Sequence, residues 1–404
     1  MAGGCPRRVA SPVPAGWRGE YVRHPRGLLR VLLASAGIFG PPIVILLVGP
    51  GRLVGHDIEV FFRESAWAAG GPPLYSKTFS EYPLAANLLF ALIRRLGDAL
   101  QLDPTALGSF TAVWLALGWW CWLGVLVALR RVGRPGAVWL WLTPTSLYFG
   151  LLHFDIVPVA LTIGGLATAR SGRLHRAALL VGLAIAIKGY MLFAVPAFAT
   201  WILLAHGPRR AVTATAVAIA PLALSVALVA LIAGGGAAIA PFRWQALRGL
   251  NGESLWDALN LVLGGRASAL LASAPGLPFG LAALASLLAA AVRPRTFDDL
   301  CRSVVIAVGG YALVSVFYSA QFALWLIPPI ALGGGRLLLA TGIVFQWATF
   351  AYAPVGTHLP KAGAAVARLT FLGLAALRVA LPVVAVLDRW PRRGPSAIPG
   401  TVRG

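Results

Sequence analysis

Asp57, Glu59 and Glu64 crowd into one short stretch of a chain that has only 13 acidic residues among 404. The stretch, Gly-His-Asp-Ile-Glu-Val-Phe-Phe-Arg-Glu over 55–64, directly follows a long apolar run. On a helix, Asp57 and Glu64 share one face, while Glu59 and Arg63, at i and i+4, can pair on another. Asp57 opens the segment, so its carboxylate can also cap the helix from its N-terminus. Two readings follow. One is a capped, salt-bridged surface helix. The other is a general base, because a carboxylate in a partly apolar cavity has its pKa raised towards the working range and can take a proton from a hydroxyl that attacks. Lys188, Arg243, Arg248 and Lys361 are isolated bases that could hold a phosphate leaving group, arginine through its bidentate fork. Each reads equally as an interface anchor. Trp67, Tyr75, Tyr82, Trp244 and Trp256 suit sugar faces and lipid headgroups alike.

Other chemistries have no support in the sequence. There is no glycine fingerprint placed after a strand, no Walker A sequence and no zinc-ligand spacing. Cys5, Cys121 and Cys301 are too far apart for a disulfide framework or a metal knuckle. No metal and no cofactor is expected.

The elements that must position these residues are read from composition. Hydrophobic residues make up 58% of the chain and charged residues 12%, against about 25% charged in a soluble domain. Apolar runs long enough to cross a bilayer, about 18 residues or more, recur from end to end. The chain is therefore expected to be an all-α polytopic membrane protein. Its net charge of +21 is read as basic loops that set topology, not as a nucleic-acid surface. The segment 1–30 is basic, and the run 31–49 is longer than the apolar core of a cleavable signal, so it is expected to be a retained first span.

Segment 82–97 decides the threading. It is short, it ends in Arg94-Arg95, and Leu84, Leu88, Leu92 and Leu96 recur at helical spacing with Leu89 and Ile93 beside them. It is expected to lie as an amphipathic helix in the outer interface. Spans then fall at 106–129, 136–152, 156–170, 175–188, 190–205, 211–233, 277–292, 303–318, 322–338, 339–354 and 364–387. This arrangement places most of the arginines on the cytoplasmic side, whereas making 82–97 a full span moves the clusters 130–134, 170–176 and 293–295 outside. The expectation is about 12 helices with both termini in the cytoplasm. The basic tail 1–30 and the tail 388–404 flank a transmembrane domain over 31–387, with outer loops at 51–105 and 234–276. Most of the acids then share the outer face, including the turn His153-Phe154-Asp155. Charged groups near membrane depth are functional candidates by default.

Several stretches in order carry a resemblance. Asp57-Ile58 precedes Ala66, Ala68, Gly71, Leu74-Tyr75 and Tyr82-Pro83. Phe154-Asp155-Ile156-Val157-Pro158 comes next, then Gly182 and Lys188. Arg248-Gly249-Leu250, Glu253-Ser254-Leu255-Trp256 and Ser319-Ala320-Gln321-Phe322-Ala323-Leu324-Trp325 complete the set. In this order, over roughly 50–360, the chain resembles the polyprenyl-phosphate-sugar-dependent glycosyltransferases of the GT-C fold, and most of all the actinobacterial family 87 of α-1,2-mannosyltransferases. It departs from the family pattern at Leu84, at His153 and within Ser319-Ala320-Gln321-Phe322.

The resemblance implies a plasma-membrane enzyme with its active site on the outer face. A hexose, mannose first, would pass with inversion from a polyprenyl-phosphate sugar to a glycolipid or polysaccharide acceptor. Asp57 would be the base. Asp155, His153, Glu64, Tyr82, Glu253, Trp256 and Gln321 would bind substrate, and Lys188, Arg248 and Arg243 would hold the donor phosphate. The partners would be the lipid-linked donor, the acceptor and the bilayer, with no nucleic acid. Three alternatives remain open: an arabinofuranosyltransferase using the same type of donor, a transporter of lipids or lipid-linked sugars, and an inactive relative acting as a scaffold. A transporter should show broken helices meeting charges at the midplane.

Overall fold

The computed structural model describes residues 57–71, 74–75, 81–133, 136–251, 253–352 and 364–388, with side chains in the last segment from residue 369. The expectations for 1–30, 31–49, Lys361 and 389–404 lie outside the described residues. All described residues belong to one compact unit, Leu53–Gly404. Among them every regular element is a helix.

Local signals explain where the main helices start. Helix α1 is Ile58–Glu64 and α2 is Leu84–Leu100, which follows Pro83. Helix α3, Ala106–Val132, is capped by Thr105, whose hydroxyl oxygen accepts from the Gly108 N–H at 3.0 Å. Two short helices follow, α4 (Ala137–Trp141) and α5 (Pro144–Leu152), then α6 (Ile156–Arg170) and α7 (Leu174–Ile187). A 3-10 segment, Gly189–Ala194, runs directly into α8 (Val195–His206). Helix α9 is Pro208–Ala233. The region 234–276, expected to be an outer loop, is itself largely helical: α10 (Gly235–Leu247), α11 (Leu255–Leu263) and α12 (Arg266–Ser273). Helices α13 (Leu277–Ala291), α14 (Phe297–Val314), α15 (Ala323–Gly333), α16 (Arg336–Phe350) and α17 (Ala364–Leu387) complete the described order. Ser254 with Asp257 and Thr296 with Asp299 form reciprocal capping boxes at the starts of α11 and α14.

Among the described residues, four helical stretches can cross a membrane by length and hydropathy: Ala106–Val132, Gly189–His206, Pro208–Ala233 and Leu369–Leu387. Two bent pairs, α5 with α6 at 115° and α12 with α13 at 87°, raise the number to six if each pair is one span. The described residues are therefore helical and of membrane type, and several of the expected spans among them, such as Leu174–Ile187 and Arg336–Phe350, are shorter apolar helices rather than full-length ones. Proline accounts for part of the difference. The run 136–152 breaks ahead of Pro144, because the residue before a proline is driven out of the helical region. Helix α15 is 11 residues long with Pro328 and Pro329 inside it, and each proline removes a backbone donor.

The core is layered helix on helix. Helix α7 packs on both α6 and α9, α14 packs on α13, α15 and α17, and α3 packs on α2 and α6. The contact of α7 with α9 depends on Gly182. A Cβ there would stand 2.6 Å from the Ala218 carbonyl oxygen and 3.0 Å from the Pro221 ring. Helix α2 has two apolar faces. Ala86, Phe90, Ile93 and Gly97 are buried, while Leu88, Leu92 and Leu96 face outward. The leucine stripe read from the sequence is thus the face turned away from the protein, as suits a helix lying against lipid.

Candidate functional site

The Asp57 carboxylate does not cap α1. Its backbone carbonyl accepts the Phe61 N–H at 3.0 Å, but its side chain makes no capping bond. Nor does an ion pair join Glu59 to Arg63 among the described residues. The reading of this segment as a capped, salt-bridged surface helix is corrected on both counts. Asp57 Oδ2 instead lies 2.8 Å from His153 Nδ1, across 96 positions of sequence.

The bend between α5 and α6 makes this contact. His153 ends α5 in extended backbone, Phe154 and Asp155 form the corner, and Ile156 begins α6. The imidazole is buried and its Nε2 has no hydrogen-bond partner, while the Asp57 side chain stays 33% exposed. A carboxylate can only accept, so Nδ1 carries the proton and donates it. The pair is therefore a one-third exposed carboxylate held by a buried donor, an arrangement compatible with a general base.

Asp155, two residues on, is fully buried. Lys188 Nζ lies 2.7 Å from both of its carboxylate oxygens, and Trp325 Nε1 donates to Oδ1 at 2.5 Å. The ammonium also sits 4.3 Å from the Phe154 ring centre and 5.3 Å from that of Trp325, within cation–π range. Trp325 is stacked on Tyr190 at 4.6 Å. Lys188, expected to meet a donor phosphate, is engaged by Asp155.

Around Asp57, Tyr82 packs edge-on to Phe61, Phe90 and Phe154. Burial raises its phenol pKa well above the usual value, with the charges of Glu81, Asp57 and Glu64 adding to the effect. Glu64 therefore lies on the Tyr82 side. Tyr75 donates to the Tyr82 carbonyl at 2.9 Å, and burial pushes its pKa up to about 12. Asn87, buried in α2, donates to the same carbonyl at 2.8 Å.

The helical outer region supplies a second wall. Arg248 pairs with Glu81 at 3.2 Å and lies over the Phe317 ring at 3.5 Å, and Trp244 donates to Glu81 at 3.0 Å. Trp256 donates to the Val314 carbonyl at 2.8 Å, and Asn251 accepts from the Tyr318 N–H at 3.2 Å. Burial raises the pKa of the Glu253 carboxyl, which is partly held down by the Arg378 charge, by the Ala320 N–H and by His153. Gln321 is buried and accepts from the Ser319 hydroxyl. Arg243 is exposed on α10 and joins none of these contacts.

The structure thus gathers Asp57, His153, Tyr82, Glu64 and Glu253 into one electrostatic neighbourhood. It sets Asp155 with Lys188, and Arg248 with Glu81, as two closed pairs flanking it. Sequence reasoning gave no role to Glu81, Trp325 or Arg378. Trp325 lay within a quoted stretch, and Arg378 was legible only as a charge in the last apolar run. Among the described residues no group of three or more His, Cys, Asp or Glu is placed to hold a metal ion. No protein-family model, curated protein or solved structure matches the chain.

Proposed function

We propose that the chain is a multi-pass membrane glycosyltransferase that moves a hexose, mannose first, from a polyprenyl-phosphate sugar to a lipid-linked or polysaccharide acceptor on the outer face of the plasma membrane. About 12 spans with cytoplasmic termini and a GT-C-like arrangement belong to this reading. The observation that carries it is the Asp57–His153 pair, in which an accessible carboxylate is held by a buried imidazole at a bent helical corner. In this reading Tyr82, Glu64, Glu253, Trp256 and Gln321 are the sugar-binding candidates.

In the proposed reaction the acceptor hydroxyl approaches Asp57. Its oxygen attacks the anomeric carbon opposite the phosphate, the new glycosidic C–O bond forms and the bond to the phosphate oxygen breaks. Asp57 takes the hydroxyl proton, and the polyprenyl phosphate leaves with the electron pair. Attack from the opposite face inverts the configuration. His153 orients the Asp57 carboxylate for this step, and general-base catalysis of this kind is worth about 10²–10⁴-fold. Purified protein given radiolabelled decaprenyl-phosphate mannose and lipid acceptors should form labelled glycolipid. A product made at the unchanged rate by Asp57→Asn overturns the assignment of the base.

A second reading has its own support. Two helix pairs are sharply bent, and one bend carries His153 and Asp155, as in transporters with broken helices at their binding sites. Movement of a lipid-linked sugar across proteoliposomes, with no glycosidic bond formed, favours that reading over the enzyme.

A further inference from the structure

Arg378 is a buried charge that none of the contacts so far explains. It lies at the middle of the apolar stretch Leu369–Leu387 of α17, is 5% exposed, and reaches the same region as Glu253 and Tyr318. Its Nη1 donates to the Glu253 backbone carbonyl, and the guanidinium carbon lies over the Tyr318 ring, 3.5 Å from its centre. Its Nε and Nη2 are buried with no hydrogen-bond partner. The Tyr318 hydroxyl lies within reach of the guanidinium and feels its charge, yet by distance and angle it too is buried with no hydrogen-bond partner.

This departs from the treatment of the other cations of the site. Lys188 and Arg248 each have a carboxylate partner, at 2.7 and 3.2 Å. No carboxylate of a described residue lies within 4.0 Å of Arg378. The nearby acid, Glu253, is itself disfavoured as an anion by burial. A buried guanidinium with two donor groups unmet is costly, and a charge inside a span marks a pathway or a ligand site by default. What is missing is an anion with several acceptor oxygens, the partner that a planar guanidinium fork matches best.

We infer that Arg378 is the anion-binding residue of the site and takes a phosphate group, that of a lipid phosphate, through its Nε and Nη2 edge. The inference rests on the proposed glycosyl-transfer reading for the lipid, and on the unmet guanidinium edge alone for the phosphate. It moves the phosphate contact from Lys188, Arg248 and Arg243 to a residue on the last helix. Tyr318 supports the guanidinium from one face, and the Glu253 carbonyl fixes its rotation. Both nitrogens of that edge are buried, so a phosphate enters only as the side chains that cover them give way.

The test uses the full chain in nanodiscs and farnesyl phosphate as the probe, with farnesol and inorganic phosphate beside it. Farnesyl phosphate should bind, and Arg378→Gln should weaken it at least tenfold without changing farnesol binding. Competition by inorganic phosphate assigns the recognition to the phosphate alone. Its failure, with the Arg378 dependence kept, assigns it to phosphate and chain together, and both results support the site. Wild-type affinity in Arg378→Gln overturns it, with Arg209→Gln, an exposed arginine on α9, as the control. If the Gln variant does not fold, Arg378→Lys keeps the charge and loses the fork. It should bind at least threefold more weakly, and unchanged affinity is again contradictory. Arg378-dependent binding without sugar transfer from any polyprenyl-phosphate donor leaves the phosphate site standing and removes the enzyme. Transfer that is unaffected in Arg378→Gln does the reverse.

Discussion

Replacing Lys188 by methionine tests how the corner after α5 is held. The substitution keeps much of the side-chain volume and removes the charge. Asp155, fully buried, would then retain only the Trp325 N–H of its three close contacts. Removing one partner of a buried pair costs roughly 3–5 kcal/mol, because the other charge is left uncompensated. The Lys188 side chain is itself 18% exposed, so water can reach the gap and the lower end applies, about 3 kcal/mol. Asp155→Asn removes the stranded charge while leaving an oxygen for Trp325. The double variant Asp155→Asn/Lys188→Met should therefore be less destabilised than the sum of its parts, with a coupling of about 2 kcal/mol. Unfolding in mixed detergent micelles, followed by tryptophan fluorescence, measures all four proteins of the cycle. Additive effects, or a loss below about 1 kcal/mol for Lys188→Met, refute the claim that this pair braces the corner.

Two further outcomes follow from the same contacts. His153→Ala should slow sugar transfer by about 10–100-fold, the worth of a hydrogen bond to a charged group, while His153→Asn, which keeps a donor near Nδ1, should recover part of the loss; equal rates for the Ala variant and wild type remove His153 as a positioning residue. Burial raises the Glu253 pKa above its ordinary 4.5, so its ionisation opposes folding as pH rises through the folded value, and Glu253→Gln should be the more stable protein at pH 8, with the gap closing below about 4.5; a gap that instead widens in acid contradicts the sign.

The apolar runs, the helical class and the outward-facing leucine stripe of α2 were legible because hydropathy and period are local properties. The breaks were less so. Pro144 and the Pro328-Pro329 pair lie inside runs that pass as single spans by composition, and only the three-dimensional path tells a kink from an end. For the site, residue types were legible and partnerships were not. Asp57 and His153 were both candidates, but the bond between them spans 96 positions and exists because α5 and α6 bend. Asp155 and Lys188 were assigned to acceptor and phosphate separately, and they turn out to hold each other. The helix spacing that suggested a Glu59–Arg63 pair was correct as geometry, but both side chains are exposed and remain apart. Arg378 lay in the last apolar run with no neighbour in sequence to mark it. Its significance comes from Glu253 and Tyr318, which only the fold brings beside it.

Sugar transfer from decaprenyl-phosphate mannose by the purified full chain, wild type against Asp57→Asn, tests the central proposal most directly. The account predicts a labelled glycolipid from the wild type and a rate about 10²–10⁴-fold lower from the variant, whose carboxamide cannot take the acceptor proton. Equal rates from the two proteins, or no product from the wild type with any lipid or polysaccharide acceptor, contradict it.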